Sequence, residues 1–237
     1  MRPLWVVLCG CTTIGETFNG QLLDPARTSA VWSAVRSLRC LVSACYPERR
    51  CPGGFEPSII PRNKAWEEHA FCLDSLLVKK KQTGSCLIYS VGVAEEWEWE
   101  AKVAKLTGCE VHCFDPTVNH PQDLAPGVTF HRKGLQGYDA DRQHVQNAKE
   151  YAPKKAEDML SLSEMMTALG HANRTLDVLQ LDCEGCEWGI LEWLCKSSTA
   201  VDVRELVLEL HFGKRLGLSS REDLVRAGRA VDCLEQN

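Results

Sequence analysis

LQLDCEGCEWGIL, residues 179–191, changes from an apolar strand pattern to a helical pattern within one short turn. The strand would bring Asp182, Glu184 and Glu187 to one edge of a sheet, and Gly185 permits the turn between strand and helix. Three carboxylates this close repel one another unless a cation, a donor-rich ligand or a helix N-terminus compensates them. Glu187 stands at the helix N-terminus. Asp182 and Glu184 are therefore candidate functional residues.

Short apolar runs alternate with helical patterns on both sides of this stretch. Strands joined by helices pair in parallel through right-handed crossovers, so the sequence predicts an α/β fold with a mostly parallel, doubly wound sheet. The helix after the first strand should pack on the sheet through Trp99, Val103 and Leu106. The predicted strands are 86–91, 110–115, 128–132, 177–182 and 205–212, and the predicted helices are 63–78, 97–106, 160–169 and 187–195.

Ligands of an open parallel sheet bind beyond the carboxyl ends of its strands. Gly92 follows the first of these strands, and Asp115, followed by Pro116, ends the second. A carboxylate at that place can accept hydrogen bonds from both hydroxyls of a ribose. The alternatives are a turn glycine and an aspartate that caps a turn. A dinucleotide fingerprint needs three glycines, and none follows Gly92 before Gly108, which disfavours NAD(P).

Cys183 and Cys186 form a C-x-x-C pair within the acidic turn. A zinc site would need a second pair of ligands, and a thioredoxin-type pair belongs to a different structural context. We therefore interpret the two cysteines as packing residues or an incidental pair, and we predict no metal site. His211 lies in the last predicted strand, where a core or edge histidine is the default and a catalytic base is the alternative.

Residues 1–62 are predicted to be an N-terminal extension and residues 63–237 the folded domain, because proline and glycine interrupt most of the first segment. The apolar run 4–11 has the shape of a weak signal peptide, and a hydrophobic strand or a misassigned start is the alternative. The run is too short to span a bilayer, and no later stretch approaches that length, so we expect no stable membrane insertion. The helix predicted over 63–78 rests on helical spacing in four residues, namely Trp66, Ala70, Leu73 and Leu77.

Composition narrows the class of protein. A chain of 237 residues, 44% of them hydrophobic, suffices for one packed core. The formal net charge of -5 gives no broad cationic surface, which disfavours nucleic acid as a partner. Thirteen cysteines indicate an oxidising compartment such as the secretory pathway, with the cytoplasm as the alternative, and their odd number leaves at least one unpaired within the chain.

Taken together, these motifs resemble the FkbM-like methyltransferases, and more narrowly the eukaryotic methyltransferase-like proteins that share their domain. The resemblance runs from about residue 72 to residue 212, and the combination of the DxEGxE and FDP motifs is specific. A CPGG at 51–54 and an FCLD at 71–74 also resemble the segment that leads into that domain. The matching pieces, in the expected order, are CLIYSVGVAEEWEWE, GCEVHCFDPT, LDVLQLDCEGCEWGIL and ELVLELHF.

The resemblance implies a Rossmann-like class I methyltransferase fold that binds S-adenosyl-L-methionine. It implies that Ser90 and Gly92 line the methionine end of this cofactor, and that Asp115 with the adjoining Pro116 binds the ribose. It also implies that Asp182 faces the transferred methyl group or the acceptor.

For the reaction, the resemblance implies methyl transfer to an oxygen of a small molecule or sugar. A positioned carboxylate or imidazole can take the acceptor's proton, and the candidates in order are Asp182, Glu184 and His211. Two alternatives remain, a non-catalytic cofactor-binding or secreted interaction module, and an NAD-dependent or nucleotide-sugar enzyme on the same fold.

This sequence departs from the family pattern in two ways. The usual glycine-rich first motif is reduced to Gly92, followed by Glu95 and Glu96. The antiparallel strand pair that normally ends such domains is expected to be missing.

Overall fold

The computed structural model describes residues 5–8, 51, 58–61, 68–137, 158–183, 186–196, 201–209, 225, 229 and 230. Within them, strands and helices alternate along most of the chain. The strands are β1 Trp5–Leu8, β2 Ser58–Pro61, β3 Glu68–Phe71, β4 Leu87–Val91, β5 Glu110–Phe114, β6 Asp123–Ala125, β7 Val128–His131, β8 Gly134–Leu135, β9 Met159–Leu160, β10 Val178–Leu181 and β11 Glu205–Leu208. The helices are α1 Leu73–Thr83, α2 Glu98–Thr107, α3 Leu162–Ala168 and α4 Glu187–Lys196.

Seven strands form the main sheet in the order β1-β11-β10-β4-β5-β7-β6. All neighbours pair in parallel except β6, which is antiparallel to β7. The first strand of the α/β region, β4, lies between β5 and β10, so the strand order reverses beside it. The mostly parallel, Rossmann-like sheet predicted from the sequence is confirmed. Among the described residues, no helix is both long enough and apolar enough to cross a membrane.

Alternate residues of the central strands point to opposite faces of this sheet. Leu87, Tyr89 and Val91 of β4 pack in the apolar cluster that contains residues of α3 and α4. Ile88 packs with residues of α1 and α2 on the other face. Because both faces are covered, the strands are buried along their length, and a buried aliphatic side chain of this kind contributes about 1.5–3 kcal/mol.

The short helix α3 owes its start to local capping. Ser161 accepts a hydrogen bond from the backbone N–H of Glu164 through its side chain, and its own N–H donates to the Glu164 carboxylate at 2.7 Å. This reciprocal pair satisfies two donors that the first helical turn leaves open. The cap fixes where the chain enters the helix that covers β4.

The helix predicted over 63–78 is wrong in part. Glu68–Phe71 forms β3, which pairs antiparallel with Ser58–Pro61, and the helix spans Leu73–Thr83 instead. Cys72, at the N-terminal end of this helix, is disulfide-bonded to Cys51. The spacing of apolar residues suggested a longer helix because it carried no information about the distant partner strand.

Two further details differ from expectation, and one agrees with an alternative that the sequence left open. Leu106 is 56% exposed, whereas Trp99 and Val103 of the same helix are buried, so the docking face of α2 lies slightly to one side of the predicted one. The edge strand β6 was not predicted. Trp5–Leu8 pairs in parallel with β11, as in the strand interpretation of that segment. The domain boundary at residue 62 stays a prediction, and residues 210–212 of the last predicted strand lie outside the described part.

Candidate functional site

The carboxyl ends of β4, β5 and β10 are held together by backbone hydrogen bonds. The N–H of Gly92 donates to the carbonyl of Phe114 at 2.8 Å, and the N–H of Asp182 donates to the carbonyl of Val91 at 3.0 Å. Asp115 follows Phe114 directly. Asp115 and Asp182 therefore lie on the same edge of the sheet, one on each side of the end of β4. We call this edge the rim.

Asp115 is 5% exposed, and its carboxylate accepts three hydrogen bonds. Oδ2 accepts the backbone N–H of Ala94 at 2.9 Å. Oδ1 accepts the N–H of Thr117 at 2.8 Å and its hydroxyl at 2.6 Å. A carboxylate has about four acceptor positions, so roughly one is left for a ligand. The bonds from Thr117, two residues on, agree with the turn-capping alternative for Asp115. The bond from Ala94, which ties the loop after β4 to the loop after β5, was not predicted.

His120 joins the same two loops a little further out. Its Nε2 lies 2.7 Å from the carbonyl oxygen of Ala94, and its ring contacts Trp97 and Phe130 edge-on, with centroids 4.7 and 5.1 Å away. Ala94 has a φ of +48°, a conformation rare for residues other than glycine. The N–H of Ala94 donates to Asp115 and its carbonyl oxygen contacts His120, and these two bonds hold the residue in place.

Gly92 is required by the packing of the two strand ends. Its φ is +87°, and a Cβ atom at this position would lie 1.6 Å from the carbonyl oxygen of Asp182. No side chain fits there without moving the backbone of β10. Gly92 therefore serves close strand approach, and its predicted contact with a cofactor stays a prediction.

Ser90 lies inside the sheet and has no exposed surface. Its hydroxyl is 2.6 Å from Oε1 of Glu100 on α2 and 2.7 Å from the side-chain oxygen of Gln180 on β10. Its assignment to the methionine end of the cofactor stays a prediction, and in this conformation the hydroxyl is used within the protein. Pro116 is half-buried and faces Gly134, the first residue of β8.

Asp182 begins the turn between β10 and α4 and is half-buried. The turn is organised by Glu187, a fully buried residue whose carboxylate accepts the N–H of Cys183 at 2.8 Å. Glu187 is also the first residue of α4, a position where a carboxylate interacts favourably with the helix N-terminus. Glu184 and His211, the other candidate proton acceptors, lie outside the described residues.

Cys183 and Cys186 form a disulfide, so the interpretation of this pair as packing or incidental is wrong. The two cysteines are three residues apart in the sequence, and their Cα atoms lie 5.4 Å apart, a usual distance for a disulfide. The bond closes the turn that follows Asp182. A further disulfide, Cys86–Cys109, joins the residues that precede β4 and β5. Cys113 of β5 is fully buried.

A second group of polar side chains lies on the face of the sheet that α3 covers, away from the rim. Glu110 and His112 of β5 meet His171, which follows α3, and these three residues could hold a metal ion. Burial alone would raise the pKa of Glu110, but hydrogen bonds from His112 and Arg174 lower it to about 2. Burial, and after it the charges of His112 and His171, lowers the pKa of His131 to about 4.

Sequence reasoning missed this group, although the E-x-H spacing of Glu110 and His112 places both side chains on one face of a strand. That spacing was the available signal. His171 and His131 come from other segments, and only the fold brings them alongside.

Comparison with known proteins gives a family. The profile of a family described as "Methyltransferase domain" matches residues 65–225. The human protein named "Probable methyltransferase-like protein 24" is 30% identical over 155 residues, which is 64% of this chain and 39% of that protein. The rat protein of the same name is 29% identical over 154 residues, with the same coverage of both chains.

The chain thus spans about two fifths of the length of these relatives. No solved structure gives a significant match. The profile covers both strands that carry Asp115 and Asp182, and the turn closed by Cys183 and Cys186. The chain therefore belongs to this methyltransferase-domain family.

Proposed function

We propose that the protein is an S-adenosylmethionine-dependent methyltransferase that acts on an oxygen of a small molecule or sugar, in the manner of the FkbM-like enzymes. The observation that carries the proposal is the rim, where Asp115 and Asp182 flank the end of β4 at the reversal of strand order. Membership of the methyltransferase-domain family supports the same chemistry.

The residues at the rim fit an adenosyl ligand. Asp115 keeps acceptor capacity for one ribose hydroxyl, and displacement of the Thr117 hydroxyl would free a position for the second. Ribose binding would then compete with part of the hydrogen bonding that joins the two loops. The loop contact from Ala94 uses the other carboxylate oxygen and can persist.

The bound cofactor supplies a methyl group on a positively charged sulfur. Transfer to an acceptor needs alignment of the reacting atoms, so the main task of the protein is to position the acceptor. Asp182 is the proposed proton acceptor for the acceptor hydroxyl, with Glu184 and His211 as further candidates. The Glu187 hydrogen bond and the Cys183–Cys186 disulfide hold the turn in which Asp182 stands.

Titration calorimetry of the full chain with S-adenosylhomocysteine tests the cofactor. Replacing Asp115 by Ala should weaken binding by about 1.5–3 kcal/mol, or about 10- to 150-fold, because two charge-assisted hydrogen bonds are lost. Asp123→Ala, an exposed aspartate of β6, is the control and should bind as the parent does. Equal affinity in the Asp115 and Asp123 variants would remove Asp115 from the site.

A further variant separates ligand contact from loop anchoring. Thr117→Val keeps the carboxylate but removes one of its loop contacts. It should bind S-adenosylhomocysteine about as well as the parent, since the ribose contact survives. A loss as large as that of Asp115→Ala would show that Asp115 acts only by ordering the loops.

Turnover is tested by release of S-adenosylhomocysteine from S-adenosylmethionine in the presence of hydroxylated acceptors. Asp182→Asn should lower kcat by about 10²- to 10⁴-fold, the usual contribution of a general base, while cofactor affinity is kept. Binding without turnover on any acceptor would favour the non-catalytic module. A melting temperature raised by NAD(H) but not by S-adenosylhomocysteine would favour the dinucleotide enzyme.

We also propose an oxidising compartment, such as the secretory pathway. Three disulfides between described residues support it, since structural disulfides are rare in reducing compartments. Thiol labelling of the protein taken directly from cells should find Cys86 and Cys109 blocked. Labelling of both in the native cellular protein would place it in a reducing compartment.

A further inference from the structure

Two imidazole nitrogens and one carboxylate oxygen converge at the start of β5, at the opposite end of that strand from Asp115. Nε2 of His112 lies 2.9 Å from Oε1 of Glu110, and Nε2 of His171 lies 3.4 Å from the same oxygen. One possible ligand atom from each of the three residues lies within 4.8 Å of those from the other two. This set, Glu110, His112 and His171, is called the histidine cluster below.

These separations suit a common metal ion. Zn²⁺ bonds to nitrogen and oxygen of about 2.0–2.2 Å in a tetrahedral site place neighbouring ligand atoms roughly 3.3–3.6 Å apart. The distance from His171 to Glu110 already has this value, and that from His112 to Glu110 would lengthen by about half an ångström on binding. Two imidazoles and one carboxylate leave the fourth position for water, as in sites with three protein ligands.

Each member of the histidine cluster also has a hydrogen-bond partner at its other polar atom, and the three partners are different residues. Nδ1 of His112 lies 2.8 Å from Nε2 of His131, and Nδ1 of His171 lies 2.7 Å from the hydroxyl of Tyr89. The second carboxylate oxygen of Glu110 accepts from Arg174 at 2.6 Å. Partners on the far side of each ligand are typical of metal sites, because they fix the orientation of the ring or carboxylate.

The two histidines can adopt the tautomers that metal binding requires. Each neutral imidazole must keep Nε2 unprotonated towards the ion and carry its proton on Nδ1. His112 would then donate to His131, and His171 would donate to the Tyr89 oxygen. Both histidines are buried, at 7% and 5% exposure, whereas the Glu110 side chain is 44% exposed and gives an ion access from solvent.

We propose that Glu110, His112 and His171 bind one divalent transition-metal ion, with zinc as the best match to the ligand set. The ion would join β5 to the turn after α3, two segments far apart in the sequence, and so stabilise the face of the sheet that α3 covers. The site is separate from the rim and does not depend on methyl transfer.

The test uses the full chain, freed of metal with a chelator and then titrated with Zn²⁺ and Co²⁺. We expect binding of one ion at this site, with visible Co²⁺ bands typical of nitrogen and oxygen ligands, and a higher melting temperature with Zn²⁺ than without it. Strong thiolate-to-Co²⁺ charge-transfer absorption would identify cysteine ligands and overturn the proposal. Failure of both ions to bind would also overturn it.

Variants assign the site to these residues. His171→Ala should abolish the Co²⁺ bands and the thermal shift, and Tyr89→Phe should weaken binding roughly 10- to 100-fold. Glu110→Gln is nearly isosteric and changes a side chain that is 44% exposed, so it should keep the fold and weaken metal binding at least as much as Tyr89→Phe. His120→Ala, which removes an imidazole of similar burial near the rim, is the control and should leave metal binding unchanged. Unchanged binding in both His171→Ala and Glu110→Gln would overturn the proposal.

Discussion

Gly92 is the residue at which the backbones of the rim approach most closely, and its replacement can be predicted from geometry. Gly92→Ala would place Cβ 1.6 Å from the Asp182 carbonyl oxygen, so β10 must move. Gly84→Ala is a matched control, because Gly84 has a similar φ of +76° but open space around the new Cβ. In both variants the alanine must adopt a left-handed conformation, which costs about 1–2 kcal/mol of stability.

The clash adds to this cost only at Gly92. Urea unfolding should therefore show a loss for Gly92→Ala that exceeds the loss for Gly84→Ala by about 2 kcal/mol or more. Equal losses in the two variants would mean that the rim accommodates a side chain at this position.

Single residues of the rim could be predicted from sequence only where a strand end defines them. Asp115 and Asp182 follow apolar strands, so their edge of the sheet was predictable. The contact from Thr117 is a local turn cap, which the sequence left open as an alternative. The contact from Ala94 depends on how two loops meet, and no local pattern shows this. The disulfide between Cys183 and Cys186 was missed because the motif was compared with zinc and redox sites alone.

The histidine cluster was hidden from sequence for a different reason. Tyr89 and His112 are direct neighbours across β4 and β5, which the strand register alone determines. His171 reaches them only when α3 lies on the sheet. A pattern within one segment cannot reveal ligands that two segments supply.

At the level of elements, Asp177 joins α1 and the strands beside it. Its carboxylate, 1% exposed, is 2.6 Å from Nζ of Lys79 and accepts the N–H of Leu87 at 3.0 Å. Arg204 lies 3.4 Å from the other oxygen. Asp177→Ala leaves the buried end of Lys79 and a backbone N–H without this acceptor, and should cost about 3 kcal/mol or more in unfolding free energy.

Asp202→Ala is the matched control for this prediction. The Asp202 side chain is exposed and accepts the hydroxyl of Thr175 at 2.8 Å. Its loss should cost about 1 kcal/mol or less. Chemical denaturation of the two variants under identical conditions would contradict the anchoring role of Asp177 if their losses were the same.

The sequence predicted the central elements better than the peripheral ones. The strands β4 and β10 are buried at every position, and β5 is buried at every position except Glu110, so their mostly apolar runs were visible in the sequence. In β7, buried and half-buried residues alternate. The hairpin of β2 and β3 depends on pairing with a separate segment, which overrode the helical spacing of the apolar residues there. The two-residue strands β8 and β9 are too short for any periodicity to show.

For the whole molecule, Glu205 makes stability depend on pH. This buried residue of β11 accepts the N–H of Cys72 at 2.7 Å, and so links the main sheet to the start of α1. Burial raises its pKa to about 7, against the opposing effects of the Cys72 hydrogen bond and the charge of Arg204. Since the folded pKa lies above the unfolded value, the protonated form favours folding.

That contribution is fully present below the unfolded pKa of 4.5 and is lost as pH rises through about 7. Between pH 4 and pH 8, the parent should lose about 3 kcal/mol more stability than Glu205→Gln, which does not titrate. Urea unfolding with disulfides intact at both pH values measures this difference. Parallel pH profiles for the two proteins would contradict the assignment.

The overall architecture could be predicted from the alternation of strands and helices, whereas the strands at the two edges of the sheet could not. Parallel pairing and the position of β4 beside the reversal of strand order were predictable from that alternation. The outer strands β1 and β6 each gain their pairing from one neighbour only. A four-residue or three-residue segment at an edge has too few apolar positions to define its place.

The disulfide between Cys86 and Cys109 encloses β4, the loop after it and α2 in one covalent ring. After a single protease cut between Leu87 and Gly108, the disulfide would keep the two fragments attached. The mass of the protein would then increase only by that of one water molecule. The cut would appear on a denaturing gel after reduction and stay invisible before it. The segment that contains β4, one of the three strands whose ends form the rim, could thus be nicked without being released.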